Sequence, residues 1–358
     1  MRFRRKTLQT MFLVVVAVLV SGVTVAASPT LSLTQAVELA LSQNISLEIA
    51  ALNNASAQIA YEKALAGNPT PVARRSAEIA WEKAQEAFRS AKIDVINSTL
   101  SSYTGLQNAA FDLEIKEKQA DAALRNWEKT KILVEKGTAG VLDELQAQLS
   151  YTSAANSLAR ALDSYAEAQT AFAHMLGVDE LPVLSSEGVL IIPDFQMSLE
   201  ECLTAAFANS ISIKDKEIAL ELAQIQRTQD ELLELSRVDD TLSKNNLKLA
   251  ELSLTKAKAD FKESVTSSYN SLVQARKSLA VSQSSLEIEE RKYDIVRKQF
   301  EAGLKTPSEL EAAEIALLSS ERDLLNAERS YVLAWISFQR LLGREIDLSG
   351  VVKPDESH

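Results

Sequence analysis

Apolar side chains return at every seventh position along two stretches of this chain. Val265, Leu272, Leu279, Leu286, Tyr293 and Phe300 form one series, and Leu106, Leu113, Ala120, Trp127 and Val134 form the other. A seven-residue period is the seam of a left-handed coiled coil, in which 3.5 residues per turn keep one face of each helix against a neighbour. The two series are copies: Leu272 is the counterpart of Leu106 at an offset of 166, and that offset recurs along the chain. Ser32-Leu33 pairs with Ser198-Leu199, Gly137 with Gly303, Ser164-Tyr165 with Ser330-Tyr331, Phe172 with Phe338, and Leu176-Gly177 with Leu342-Gly343. One structural unit is used twice, so function is expected from assembly of repeats rather than from a single asymmetric pocket.

Breaks in the helical pattern are few. Thr34 reads as the cap of a short helix reaching Gln43, Asn44 as a bend, and 45–66 as a second helix stopped by Gly67-Asn68-Pro69-Thr70-Pro71. From about residue 73 to 136 there is no proline, and Gly105 alone costs roughly 1 kcal/mol in a helix interior. That segment predicts one helix of about 60 residues, on the order of 90 Å long. Gly137-Thr138-Ala139-Gly140 turns the chain into a return helix over 141–176.

The second copy predicts a short helix from about 199, another over 211–236, a break at Val238-Asp239-Asp240, a long helix over 242–302, a turn over 303–307 and a return helix over 308–342. Within the connector only Val189 to Ile192 reads as a strand. The expected fold class is all-α: elongated antiparallel long-helix coiled-coil hairpins, internally duplicated. The expected organisation is a signal peptide at 1–27, a first helical repeat at 28–180, a connector at 181–197, a second repeat at 198–346 and a tail at 347–358. A coiled-coil rod without a channel satisfies the periodicity equally well.

Composition narrows the function classes. Arg2, Arg4, Arg5 and Lys6 precede an apolar run from Met11 to Val20 and a small-residue stretch ending at Ala27, which reads as a secretory leader cleaved there. As an uncleaved anchor, Met11 to Ala27 falls slightly short of the roughly 20 residues of a membrane span. Removing the four leader cations leaves 34 basic against 49 acidic residues and takes the formal charge from −11 to −15. So acidic a surface argues against nucleic acid as a partner. Cys202 is the single cysteine, which excludes an intramolecular disulfide, and its counterpart in the first copy is Ala36, so it reads as a small core residue. His174 and His358 are far apart and suggest no metal site. No catalytic grouping, cofactor motif or phosphate loop stands out, and the chain does not read as an enzyme.

The openings Leu33-Thr34-Gln35-Ala36-Val37-Glu38-Leu39-Ala40-Leu41 and Leu199-Glu200-Glu201-Cys202-Leu203, with the turn-and-return segments Gly137 to Gly177 and Gly303 to Gly343, resemble those of the TolC-like outer-membrane efflux proteins. The resemblance covers nearly all of the chain after the leader. It implies a TolC-type α-barrel protomer with two unbroken and two split helical strands. It also implies a homotrimer that closes a hollow cylinder, working with a periplasmic adaptor (membrane fusion protein) and an inner-membrane transporter. The location it implies is the cell envelope, at the outer membrane. In the family each half also carries a β-hairpin of the membrane barrel. Here the corresponding places hold only Gly67 to Val72 and Arg237 to Thr241, whereas a spanning strand needs about 9 to 11 residues. The expected protomer therefore has little or no β-barrel, and an exported coiled-coil scaffold derived from the family is the alternative.

By the same resemblance, the turns Gly137, Thr138, Gly140 and Gly303, Leu304, Lys305, Thr306, Pro307 form the rim that docks the adaptor. Tight helix-to-helix turns also demand such residues for geometric reasons alone. Asp143 and Glu309, each six residues after its turn glycine, match the family's pore-aperture acid. Three residues further on, Gln146 and Ala312 stand where a second acid is expected, which leaves the aperture less charged. Helix capping is the competing explanation for Asp143 and Glu309.

Overall fold

The computed structural model describes residues 30–344 apart from 68, 180, 182, 185–189 and 234–235. The expected leader with its cleavage point after Ala27, the tail at 347–358 and His358 lie outside the described residues. The first copy comprises α1 (Leu33–Gln43), α2 (Ile45–Ala66), α3 (Pro71–Glu135) and α4 (Val141–Leu176). The second comprises α5 (Leu199–Asn209), α6 (Ile211–Leu232), α7 (Arg237–Glu301) and α8 (Pro307–Leu341). Their lengths are 11, 22, 65 and 36 residues against 11, 22, 65 and 35.

Four helical strands lie side by side in one layer. The outer strand α2/α4 packs on α3, α3 packs on α6/α8, and α6/α8 packs on the other outer strand, α7. The heptad series predicted from sequence is the seam: Val265, Leu272, Leu279, Leu106 and Ala120 are buried, and the remaining members of both series are half-buried. Full burial of a leucine such as Leu272 contributes roughly 1.5–3 kcal/mol. Across the junction of the two copies, Asn108 Nδ2 donates to Asn326 Oδ1 at 2.7 Å, Arg322 pairs with Asp112 at 2.6 Å and Lys118 with Glu314 at 3.0 Å. Surface pairs of this kind contribute at most about 1 kcal/mol each, so their effect is mainly on the register of α3 against α8.

The densest packing lies at mid-height, where α1 and α5 fold back against the long helices. Ala36 and Cys202 occupy the predicted equivalent places and are both fully buried, and burial pushes the Cys202 thiol pKa up. Tyr103 packs edge-on against Phe172 at 5.9 Å, and its counterpart Tyr269 packs on Phe338 at 6.0 Å.

Several sequence expectations are corrected. The first helix is capped by Ser32, not Thr34: the Ser32 hydroxyl accepts from the Gln35 amide at 3.2 Å while the Gln35 side chain accepts from the Ser32 amide at 3.1 Å. This reciprocal box satisfies two N-terminal donors at once and places Thr34 inside the first turn. Pro71 opens α3 rather than ending the preceding segment, because a proline at the first helical position loses no hydrogen bond and Thr70 caps it. The break in the second copy falls at 233–236, and Val238-Asp239-Asp240 belong to the first turn of α7. Ser236 accepts from the Asp239 amide at 3.2 Å, and acids are favoured at that end by the helix dipole.

Over 190–192, the described part of the strand expected from Val189 to Ile192, no strand forms. Val189 lies outside the described residues, Leu190 makes a single bridge, and Leu190 and Ile192 pack against the core. Among the described residues the strand pairing is parallel, between β1 (Thr30–Leu31) and β2 (Val183–Leu184).

No helix among the described residues is long and apolar enough to cross a membrane. The links from Ala66 to Pro71 and from Leu232 to Arg237 leave only residues 67–70 and 233–236 where a barrel hairpin would be inserted.

Candidate functional site: the hairpin tips and the open edges

Both turn sequences fall at one end of the layer, because α3 and α8 run antiparallel with Arg125 paired to Glu311 near that end. Each turn follows the same plan. Gly137 and Gly303 adopt φ of 73° and 74°, the left-handed region that favours glycine. The amides of Thr138 and Leu304 then reach back to the carbonyls of Leu133 and Gln299 at 2.9 and 2.8 Å, satisfying the C-terminal acceptors of α3 and α7. Gly140 and Thr306 start the return helices, and Pro307 takes the first position of α8. Leu304 stands 76% exposed at the extremity of its turn.

Asp143 and Glu309 are both exposed and both occupied. The Asp143 carboxylate accepts from the Gly140 amide at 2.9 Å. Glu309 accepts from the Thr306 amide at 2.8 Å, from the Thr306 hydroxyl at 3.0 Å and from Lys305 Nζ at 2.6 Å. Lys305 first, then the Thr306 donors, hold the Glu309 pKa down to about 2. The capping role weighed against a pore role is thus present at both positions; the Asp143 cap uses one oxygen, whereas at Glu309 Thr306 takes one oxygen and Lys305 the other. Gln146 and Ala312 are exposed on the following turns.

Sequence reasoning missed a second set of apolar seams on the two outer strands. On α7, Val281, Ile288 and Ile295 recur at intervals of seven and are 66, 52 and 55% exposed. Nearer its start, Val238, Leu242, Leu249 and Leu252 continue an outward face at 76, 58, 65 and 56%. The opposite edge matches it: Ile45, Ile49, Leu52 and Ile59 on α2, and Leu142, Leu145 and Leu149 on α4, are all more than half exposed. The spacing of seven was visible in the sequence, at 281, 288 and 295 and at 45, 52 and 59. Which face already had a partner was not. Among the described residues, no group of three or more metal-binding side chains comes together.

A layer of two unbroken and two split helical strands, with hairpin turns at one end and apolar seams on both open edges, is the protomer of a TolC-type α-barrel. The sequence profile of the outer membrane efflux proteins matches residues 29–178 and 208–344. The chain belongs to that family. None of the curated proteins compared with it matches.

Several solved structures share its fold. A membrane protein from Pseudomonas aeruginosa superposes with a TM-score of 0.60 at 14% identity, covering 88% of this chain and 98% of that one. The Campylobacter jejuni CmeC outer membrane channel gives 0.57 at 14% identity, covering 90% and 87%. The outer membrane protein VceC from Vibrio cholerae gives 0.57 at 14% identity, covering 88% and 97%.

Proposed function

We propose that this protein is the subunit of a passive exit duct in an efflux or secretion system, carrying small molecules or proteins across the cell envelope. The observation that carries the reading is the complementary pair of open edges. A layer whose left and right edges both expose heptad-spaced apolar side chains buries them by packing α7 of one copy on α2/α4 of the next. Such a head-to-tail contact closes into a ring when the rotation fits. With four strands per copy, three copies make a twelve-strand cylinder, the homotrimer implied by family membership.

In this duct the turns at Gly137, Thr138, Gly140 and at Gly303, Leu304, Lys305, Thr306, Pro307 meet a periplasmic adaptor coupled to an inner-membrane transporter. Asp143 and Glu309 line the aperture. The leader at 1–27 directs export, and the repeats at 28–180 and 198–346, joined by 181–197, build the body. Family membership favours an outer-membrane position.

A second reading is supported by the short links 67–70 and 233–236: an exported coiled-coil scaffold that keeps the helices without a membrane pore. Mass by light scattering, with end-on electron-microscope projections of the same fraction, separates the two. A trimeric ring is expected for the duct, and a monomer or a solid rod would overturn it.

A further inference from the structure

The two copies meet inside the chain where α3 packs on α6 and α8. Every helix of the second copy starts 166 residues after its counterpart in the first. Taking the same step once more sets α7, the counterpart of α3, against α2 and α4 of another molecule. The internal junction therefore specifies, pair by pair, which residues meet when one copy packs head to tail on the next. The positions it specifies are open: Ile115, buried on α3, has as its counterpart Val281 on α7, which is 66% exposed. The reason is that α3 has a helical strand on both sides and α7 on one.

The pairs are also matched in character. Lys214 approaches Glu82 at 4.0 Å across the internal junction. Their counterparts are Glu48 and Lys248, the same pair with its signs reversed, and both are exposed. The neighbouring pair Lys83 and Asp215, 2.7 Å apart, becomes Leu249 and Ile49, apolar on both sides and 65 and 53% exposed. Asn108 and Asn326 become Gln274 and Arg160, an acceptor opposite a donor. In each case a change on one edge is answered on the other, which two faces turned to solvent would not require. Arg125–Glu311 is not matched: Arg291 stands opposite Leu145 and pairs instead with Glu287 on its own helix.

One of these pairs brings in a titratable group. Arg340, in the last turn of α8, donates to Asp94 Oδ1 at 3.1 Å and to Ser90 Oγ at 3.3 Å across the internal junction. The counterparts are His174 for Arg340, Asp260 for Asp94 and Lys256 for Ser90. The His174 side chain is exposed in the last turn of α4 and forms no hydrogen bond or ion pair among the described residues. Lys256 donates to Asp260 Oδ2 at 3.0 Å and leaves Oδ1 open. A charged imidazole on Oδ1 is therefore nearer the carboxylate than the ammonium, and attraction wins. Within its own copy, α3 has no charged side chain between Asp94 and Asp112, and α1 has one, Glu38. Where the internal junction has a permanent cation, the open edge thus has a side chain whose charge changes between pH 5 and 8. We propose that His174 of one copy meets Asp260 of the next and makes the joining of copies proton-dependent, tighter when the imidazole is charged. This rests on the head-to-tail contact of the duct reading and names its regulation.

The test is sedimentation of the full exported protein at pH 6 and pH 8 and fixed ionic strength, for wild type, His174→Gln and His174→Arg. The net charge of −11 at pH 7 also becomes less negative as the pH falls, so the readout is the difference between proteins. Wild type should associate up to about fivefold more tightly per junction at pH 6 than at pH 8, beyond the change in His174→Gln. His174→Arg writes the internal pair into the contact between copies and should associate tightly at both. An equal pH response in wild type and His174→Gln, with association intact, overturns the proposal and leaves the ring standing. Monomers of all three proteins at both pH values overturn the ring as well. A short bis-maleimide on Gln274→Cys with Arg160→Cys checks the register, because the two lie on opposite edges of one copy and Cys202 is fully buried. Copies joined by the reagent are expected, and association without joining overturns the pairing but not the ring.

Discussion

Tyr103 and Tyr269, equivalent positions of the two copies, hold the start of each copy in the same way. The Tyr103 hydroxyl donates to the carbonyl of Leu31 at 3.0 Å, and the Tyr269 hydroxyl to that of Met197 at 3.4 Å. Both acceptors sit just before the short capped helices α1 and α5, so each bond ties an entering segment to the middle of a long helix. Loss of one such bond typically costs about 0.5–1.5 kcal/mol, more when a buried acceptor is left without a donor. Tyr103→Phe is therefore expected to lower stability by about 1 kcal/mol or more, and Tyr269→Phe by less, its bond being longer. Denaturant midpoints at unchanged slope measure both, and equal effects would contradict the ranking.

The four left-handed glycines among the described residues separate into two classes. At Gly343 an added Cβ would stand 2.6 Å from Asn209 Cβ, while at Gly303 it would meet nothing within 4 Å. Gly303→Ala incurs only the left-handed backbone strain, roughly 1–2 kcal/mol. Gly343→Ala adds displacement of Asn209, whose side chain donates to the Leu342 carbonyl at 2.8 Å, and should be clearly the more destabilising. Thermal unfolding of the pair checks the order.

Glu309 gives a pH signature. Its folded-state pKa, near 2, lies below the ordinary value of 4.5, so the folded form prefers the carboxylate. That contribution is complete above about pH 4.5 and is lost as the pH falls through the window down to about 2. Lys305→Ala should raise the Glu309 midpoint toward 4.5, read from its side-chain carboxyl resonance. A midpoint that stays near 2 would mean that the Thr306 donors alone hold it.

The outward seam of α7 predicts the state of assembly. Ile288→Glu puts a charge into the proposed contact between copies and leaves the opposite face of α7, with Leu286 and Tyr293, untouched. Sedimentation should show at least a tenfold weaker association, because an unpaired buried charge costs several kcal/mol, while helical content stays constant. Full assembly in the variant would place the interface elsewhere.

Asp143→Asn with Glu309→Gln tests the proposed aperture role. Both replacements keep an oxygen that accepts from the cap amide, so the turns should hold. Reduced cation preference or altered leakiness is expected, and unchanged transport would leave these acids as caps only.

Much of this architecture was legible in the chain. Heptad-spaced Val265, Leu272 and Leu279 declare a coiled-coil seam because a helix has one period. The constant offset between paired positions declares two copies because equal sequences bury equal faces. Positive-φ turns at Gly137 and Gly303 were legible because few other residues adopt that backbone. Boundaries were less so. Asp239 and Asp240 favour a turn or a helix start equally, and the choice rested on the Ser236 hydroxyl finding the Asp239 amide.

The sequence by itself determined what each helix is: its length, its apolar face and its copy. The tertiary structure alone decided which apolar faces already had partners. Leu286 and Ile288 are both apolar residues on one helix, yet only packing against α8 makes the first a seam residue and leaves the second at an open edge. The same holds for charge, since Lys305 neutralises Glu309 through a contact while Arg237 is left to face outward. Burial and pairing depend on neighbours far away along the chain, and periodicity reports only on the helix that carries it.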